Sequence, residues 1–190
     1  MSKGFRWFII GVCTVFAVAT LVVLVAPVGR NKNALPLQYR EMASEVVADY
    51  CLVQKGLARD FLGEAQQASA DLQGAANAML KEPMPEVASA TRFEWGSDLL
   101  LLARTAQALE KSGDLKQARE IFKTFSEQMI AFVEKFGHAH YVPLHVVHCS
   151  MAFNNTGADW LQSSEKIRNP YFGKEMLECG EIVKTFPPGK

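Results

Sequence analysis

Residues 115–137 of this chain read LKQAREIFKTFSEQMIAFVEKFG, and this stretch decides the fold that the sequence predicts. Its apolar residues recur every three or four positions, as expected for one face of an α-helix. The stripe comprises Leu115, Ala118, Phe122, Phe125, Met129, Phe132, Val133 and Phe136. A stripe of this kind indicates a helix that buries one face, so its aromatic and methionine side chains are interpreted as core residues and not as a cofactor site.

Three further helices are predicted upstream of this stretch. They are expected over residues 39–58, over residues 62–80, and over a segment that starts between Glu86 and Phe93 and reaches Leu109. Asp60 is predicted to cap the second helix, and two prolines at 83 and 85 follow that helix. Short connections between helices of this length favour antiparallel neighbours. The predicted fold class is all-α: an antiparallel up-and-down four-helix bundle with an irregular C-terminal segment packed on it, preceded by a single transmembrane helix.

The N-terminal region predicts a membrane anchor. From Trp7 to Gly29 there are 23 residues without a charge, and a helix of that length covers about 34 Å, enough for a hydrocarbon core of about 30 Å. No small-residue cleavage site follows the apolar run, so an anchor is favoured over a cleaved signal peptide. Residues 1–36 are therefore predicted to be an anchor or signal segment with its tether, and residues 37–190 the bundle domain, including a C-terminal metal-site segment at 138–180.

Charge and orientation indicate the compartment. Lys3 and Arg6 precede the apolar run, and a short basic N-terminus usually stays on the cytoplasmic side. The expected localisation is a single pass through the inner membrane with the soluble domain in the periplasm. Of the 20 Lys and Arg residues, three lie in residues 1–30, which contain no acid, so residues 31–190 carry 17 basic and 20 acidic side chains. This slightly acidic balance predicts no nucleic-acid partner.

Residues that bind soft metal ions are concentrated near the C-terminus. Cys149 and Met151 lie two positions apart, so on an extended segment their side chains share a face. Met176 and Cys179 lie three positions apart, which places them on one side of a helical turn. Two thiolates and two thioethers form a ligand set that selects Cu(I) among the first-row metals. His148 is a further candidate ligand, although neighbouring strand residues point to opposite faces.

The same residues permit a second interpretation. Cys149 and Cys179 can form a disulfide in an oxidising compartment, with the methionines as core filler. Such a bridge closes a loop of about thirty residues and stabilises a fold by about 3–4 kcal/mol. His138 and His140 are interpreted as ordinary residues of a connecting segment, and His145 is less well placed than His148 because it lies four positions before Cys149. The residue types leave both interpretations open.

Two segments of the C-terminal region resemble a known family. Residues 148–162 (HCSMAFNNTGADWLQ) and 167–180 (IRNPYFGKEMLECG) are similar to an uncharacterised domain, a domain of unknown function. This helical domain is found alone in exported proteins or fused to the C-termini of periplasmic adaptor (membrane fusion) proteins of copper and silver efflux systems. That family typically reads Cys-Pro-Met-Ala, then Gly-Ala-x-Trp-Leu, then Asn-Pro-Tyr-x-Gly-x-x-Met-x-x-Cys-Gly. Ser150 stands where the family has proline, which leaves the bend between Cys149 and Met151 less preorganised.

The resemblance implies an exported domain that handles copper, with Cys149, Met151, Met176 and Cys179 as ligands of Cu(I) or Ag(I). The expected partners are the metal ion, the membrane through the N-terminal helix, and an efflux adaptor or a copper chaperone. No enzymatic activity is expected, because no Ser/His/Asp arrangement, phosphate loop or carboxylate pair shows a recognisable spacing. The alternative function is a non-metal interaction module with a structural Cys149–Cys179 disulfide.

Overall fold

A computed structural model describes residues 35–189 of the chain. Its first part consists of four helices: α1 (Leu37–Ala58), α2 (Leu62–Met79), α3 (Ser89–Glu110) and α4 (Leu115–Phe136). Each helix coincides closely with a predicted one, and each packs against the next along the chain. The predicted four-helix bundle is therefore confirmed.

The apolar stripe of α4 lies in the centre of the bundle core. All of its four phenylalanines are at most 1% exposed, and the ring of Trp95 on α3 lies 5.1 Å from that of Phe132 and 5.2 Å from that of Phe136. Asp114 caps the helix by accepting a hydrogen bond from the backbone N–H of Gln117 at 2.7 Å. Gly137, with φ of 76°, ends it. The interpretation of this stripe as core is confirmed.

The C-terminal part contains a small sheet that the sequence did not predict. Its strands are β1 (Leu144–Cys149), β2 (Ala158–Gln162) and β3 (Glu181–Phe186), in the order β2-β1-β3 with both pairs antiparallel. A single turn, α5 (Ala152–Asn155), and a 3-10 turn (Gly173–Glu175) lie in the connections. The expectation of an all-α fold is thus only partly right. Strands of five or six residues show too few periods for their pattern to identify them from the sequence.

The sheet packs into the bundle between α1 and α4, whose contact with each other is less extensive than that of the other adjacent helices. Tyr50 of α1 joins the two parts. Its hydroxyl accepts a hydrogen bond from the backbone N–H of Leu161 at 3.2 Å and lies 2.6 Å from the hydroxyl of Ser126 on α4. Its ring stacks on Phe122 at 5.2 Å. Leu161 lies on an edge strand, and this bond pairs a backbone group that would otherwise be buried without a partner.

Asp60 performs a different task from the predicted one. The residue preceding α2 is Phe61, with no side-chain cap, so the prediction that Asp60 caps α2 is wrong. Asp60 instead adopts φ of 63° just after α1. Its carboxylate accepts hydrogen bonds from Arg119 of α4 at 2.6 Å and from the backbone N–H of Lys174 at 3.2 Å. These bonds attach the C-terminal part to both α1 and α4.

No helix within residues 35–189 is long and apolar enough to cross a membrane. The predicted transmembrane segment, residues 7–29 of the N-terminal region 1–36, lies outside the described residues.

Candidate metal centre

The two cysteines of the predicted site lie side by side. Cys149 is the last residue of β1, and Cys179 lies two residues before β3, whose Glu181 pairs with His148. The pairing of β1 with β3 therefore brings the two sulfur atoms to 3.1 Å although 30 positions separate them in the chain. Cys149 is 1% exposed and Cys179 is half-buried, so a small ion has access to the pair from the Cys179 side.

A glycine permits this close approach. Gly180 follows Cys179 with φ of 143°, and a Cβ at this position would lie 2.9 Å from the Trp160 ring and 3.0 Å from the Val147 side chain. Any larger residue would push the chain away from the sheet, and Cys179 with it. The glycine thus places Cys179 against the central strand.

Asn169 holds the loop that carries Cys179. Its side chain is fully buried and donates a hydrogen bond to the carbonyl of Cys179 at 2.7 Å. Its carboxamide oxygen accepts hydrogen bonds from the backbone N–H groups of Tyr171 at 2.8 Å and Phe172 at 3.1 Å. Its own N–H donates to the carbonyl of Leu177 at 2.7 Å. These four bonds close the loop from 169 to 179 upon itself and fix the backbone at Cys179.

The Cys179 thiol is protonated at neutral pH. The hydrogen bond to the Cys149 thiol, followed by burial, raises the pKa of Cys179 to about 11, well above the ordinary value of about 8.5. A metal ion that binds here must therefore displace at least the Cys179 proton, which makes binding dependent on pH.

The sulfur separation lies between two chemical states. A disulfide requires about 2.05 Å, whereas two thiolates bound tetrahedrally to one ion at about 2.3 Å each lie about 3.8 Å apart. At 3.1 Å, closing the bridge needs an approach of about 1 Å and admitting a metal needs a parting of about 0.7 Å. Either change is small for Cys179, which lies on a loop, while Cys149 is held in the central strand of the sheet.

The two methionines are placed differently from the sequence expectation. Met151 follows the end of β1 and has helical backbone angles (φ −84°, ψ −15°), so the extended geometry that would align it with Cys149 is absent. It is 45% exposed. The 3-10 turn ends before Met176, whose carbonyl accepts a hydrogen bond from the N–H of Cys179 at 3.1 Å. Both methionines are close neighbours of the thiol pair along the chain, and both retain access to solvent.

His148 is held apart from the thiols. Strand alternation places its side chain on the opposite face of β1 from Cys149. Its Nδ1 lies 2.6 Å from Asp159 Oδ1, and the ring covers Gly157, where an added Cβ would come within 2.8 Å of the ring carbon Cε1. The structure therefore does not bring His148, the fifth predicted ligand, to the sulfur pair.

The other histidines have structural surroundings. His138 is 5% exposed, and burial, with the nearby His140 and Arg40, lowers its pKa to about 4. Its Nδ1 accepts a hydrogen bond from the backbone N–H of His140 at 3.1 Å. His145 is also 5% exposed, with its Nδ1 2.9 Å from the Thr185 hydroxyl. His138 and His140 thus lie in the predicted connecting segment between α4 and β1, whereas His145 is part of β1.

Comparison with known proteins identifies the family through the bundle. Residues 46–140, half of the chain, match the family described as Protein of unknown function (DUF3347). The chain belongs to the DUF3347 family. No curated protein and no solved structure matches the chain.

The DUF3347 match covers the bundle and ends before the candidate site. It runs from within α1 to just after α4, so Cys149, Met151, Met176 and Cys179 lie beyond it. Membership agrees with the predicted relation to an uncharacterised domain family. The connection to adaptor proteins of copper and silver efflux is not part of the match and stays a prediction.

Within residues 35–189 of this DUF3347 protein, no group of three or more His, Cys, Asp or Glu side chains is arranged to hold a metal ion. The candidate centre therefore rests on the two thiols, with the methionines as the nearest additional soft ligands along the chain.

Two supporting features of the DUF3347 site were not identified from the sequence. Asn169 starts a turn, since its side-chain oxygen accepts hydrogen bonds from the backbone N–H groups of Tyr171 and Phe172. Nothing in the sequence indicates its bond to the Cys179 carbonyl. The same holds for the attachment of Lys174 to Asp60, because the partners are 114 positions apart.

Proposed function

We propose that this DUF3347 protein is an exported, membrane-anchored protein that binds one Cu(I) ion, or Ag(I), for copper handling or efflux. Cys149 and Cys179 supply two thiolates, and the thioethers of Met151 and Met176 are the candidates for further ligands. The observation that carries the proposal is the 3.1 Å contact between two free thiols from distant parts of the chain. The resemblance of the surrounding segments to domains of copper and silver efflux systems supports the same metal.

The ligand chemistry favours a soft monovalent ion. Thiolate and thioether sulfur select Cu(I), which accepts a set of two to four such ligands. Zn(II) prefers a tetrahedral set of thiolates and imidazoles, and the nearest imidazole, that of His148, is engaged with Asp159. The proposed function is binding of the ion, and we propose no catalytic step.

The position of the site favours transfer to a partner. Cys179 and Met176 are half-buried, and Met151 is 45% exposed, so an incoming sulfur ligand can reach the ion. The ion can then pass from the sulfur ligands of this site to those of the partner. An efflux adaptor or a copper chaperone in the periplasm is therefore the proposed partner, and the N-terminal apolar segment is the proposed anchor in the inner membrane.

The site is tested by Cu(I) titration of the full chain under anaerobic conditions against a chromophoric chelator. A reference chain carrying Cys13→Ala and Cys51→Ala leaves the proposed pair as the only thiols. It is expected to bind one Cu(I) per molecule, and adding Cys149→Ser and Cys179→Ser is expected to abolish binding. Full binding by that quadruple variant would rule out the site. Met151→Leu and Met176→Leu preserve side-chain size, so a drop in affinity there reports the thioethers.

A second candidate function rests on the same contact. If the two sulfurs form a disulfide, the bridge attaches the C-terminal segment to β1, and the protein is a non-metal interaction module. Thiol titration of the reference chain, isolated without reductant, distinguishes the two. Two reactive thiols that Cu(I) protects agree with the metal site, and no reactive thiol until a reductant is added agrees with the bridge.

A further inference from the structure

Exposed apolar side chains gather at one end of the bundle. Tyr141 is 94% exposed and Phe93 is 76% exposed, the two highest values among the large apolar side chains of residues 35–189. The same end carries Leu37 at 46%, Val142 at 47% and Leu80 at 38%. We call these five residues the apolar end. Five of the twelve large apolar side chains that are exposed within residues 35–189 thus lie at this end, including the two most exposed, and they are the candidates for a contact surface.

Hydrogen bonds show that these residues share one end. The Tyr39 hydroxyl, at the start of α1, donates to Glu86 at 2.9 Å in the α2–α3 connection, which separates Leu80 from Phe93. The backbone N–H of Ala139, between α4 and Tyr141, donates to the Ser44 hydroxyl at 2.8 Å on the second turn of α1. The start of α1, the α2–α3 connection and the segment after α4 therefore meet at the same end of the bundle.

The chain enters the described part of the structure at this end. The 23 uncharged residues from 7 to 29 precede α1, and only residues 30–34 separate them from Leu35. Five residues span at most about 18 Å when fully extended. If residues 7–29 cross a bilayer, as the proposed function requires, the start of α1 is confined to within about that distance of the membrane surface.

We propose that the apolar end lies against the surface of a phospholipid bilayer, with Tyr141 and Phe93 in its interfacial region. This inference rests on the membrane anchor of the proposed function and goes beyond it. Tyrosine is enriched at the membrane interface because its ring is apolar and its hydroxyl is hydrated. Phe93 adds apolar area, and the charged side chains of Lys81 and Glu82 lie on the same connection, where they stay hydrated. The short tether brings this end to the bilayer before any other part of the domain.

Docking of this end turns the thiol pair away from the membrane. The sheet runs back along α4. Trp160 of β2 pairs with Val147 of β1, and its ring lies 5.7 Å from that of Tyr171. The Tyr171 ring in turn lies 6.0 Å from that of Phe122 on α4. Phe122 lies 14 residues before Phe136, which is about 21 Å along the helix. Cys149 follows Val147 in the direction away from the apolar end. The candidate metal centre is then presented to soluble partners.

The test places a fluorescent reporter at each end of the full chain in nanodiscs. Tyr141→Trp reports the apolar end, and Lys116→Trp, at an exposed position in the first turn of α4, is the matched control at the opposite end. Nanodiscs of phosphatidylethanolamine and phosphatidylglycerol are prepared with ordinary or brominated acyl chains. The emission added by Tyr141→Trp over the parent chain is expected to fall by about twofold or more with brominated lipid, and that of Lys116→Trp to stay constant.

Three results would overturn the docking. The first is equal quenching of the two reporters. The second is no quenching of Tyr141→Trp, which is also the result expected if this end pairs with a second copy of the chain. The third is a chain that is not retained in the nanodisc, which refutes the anchor as well. Cu(I) titration of the same samples reports the metal site separately. Copper binding without quenching refutes only the docking, and quenching without copper binding refutes only the metal site.

Discussion

Gly173→Ala is expected to open the ion pair that helps to attach the C-terminal part to the bundle. Arg119 of α4 donates to the carbonyls of Pro170 at 2.8 Å and Leu57 at 3.1 Å, and to Asp60 Oδ1 at 2.6 Å. Gly173 lies directly against this group with φ of 59°, and an added Cβ would overlap Asp60 Oδ1 and Arg119 Nη2 and approach Asp60 Cγ to 2.8 Å. The methyl group therefore cannot be accommodated unless the ion pair opens.

The cost follows from two contributions. Left-handed backbone costs an L-residue about 1 kcal/mol relative to glycine. A hydrogen bond to a charged group is worth about 1.5–3 kcal/mol. The side chains of Arg119 and Asp60 are 18% and 26% exposed, so solvent weakens their hydrogen bonds. We therefore use a value near the lower limit for each of the one or two bonds that open. We expect the free energy of unfolding to fall by about 2.5–4 kcal/mol.

The measurement is urea unfolding of the full chain in detergent and under reducing conditions, followed by circular dichroism. Gly74→Ala is the matched control, because Gly74 lies inside α2 with nothing within 4 Å of an added Cβ. The same substitution there is expected to stabilise the protein by about 0.5–1 kcal/mol, since alanine is the better helix former. The reasoning is refuted if Gly173→Ala lowers the unfolding free energy by less than 1 kcal/mol, the backbone cost by itself.

Three further predictions concern the buried polar groups and the thiols. His138 has a pKa of about 4 in the folded chain, below its ordinary value, so its protonation favours the unfolded chain. The free energy of unfolding should therefore fall by up to about 3 kcal/mol between pH 6.5 and 4. Urea titrations across this range should show a smaller fall for His138→Asn. Asn169→Ala should release the loop and speed the reaction of Cys179 with a thiol reagent, whereas Asn77→Ala, at an exposed position in α2, should not. Equal rates in the two variants would contradict the role of Asn169. Cys179 has a pKa of about 11 and must lose its proton to bind metal. The apparent Cu(I) affinity should therefore rise at least about tenfold per pH unit between pH 6 and 9. A flat pH profile in competition titrations would exclude the Cys179 thiolate as a ligand.

The turn after Met151 is conformationally costly. Phe153, Asn154 and Asn155 adopt φ of 51°, 58° and 65° in succession, a left-handed backbone that L-residues rarely adopt in consecutive positions. Asparagine tolerates this region better than most residues, and the Phe153 ring is held by Tyr171 at 5.2 Å. Asn154 and Asn155 therefore occupy positions at which most other L-residues would be more costly.

The sequence predicted the bundle well because helical periodicity is local. Each of the four helices shows several turns of apolar residues, so its face and length were evident without any knowledge of its neighbours. The C-terminal segment lacked this redundancy. Strands β2 and β3 are defined by their pairing with β1 and not by their own pattern.

What the sequence by itself determined is therefore the set of helices, their order and the types of soft ligand near the C-terminus. The placement of those ligands was decided only in the tertiary structure. Cys149 and Cys179 meet because β3 pairs with β1 and because Asn169 closes the intervening loop, whereas strand alternation keeps His148 on the other face. The physical reason is range: a helix is stabilised by bonds four residues apart, while this site depends on bonds between residues ten to thirty positions apart, which no local pattern encodes.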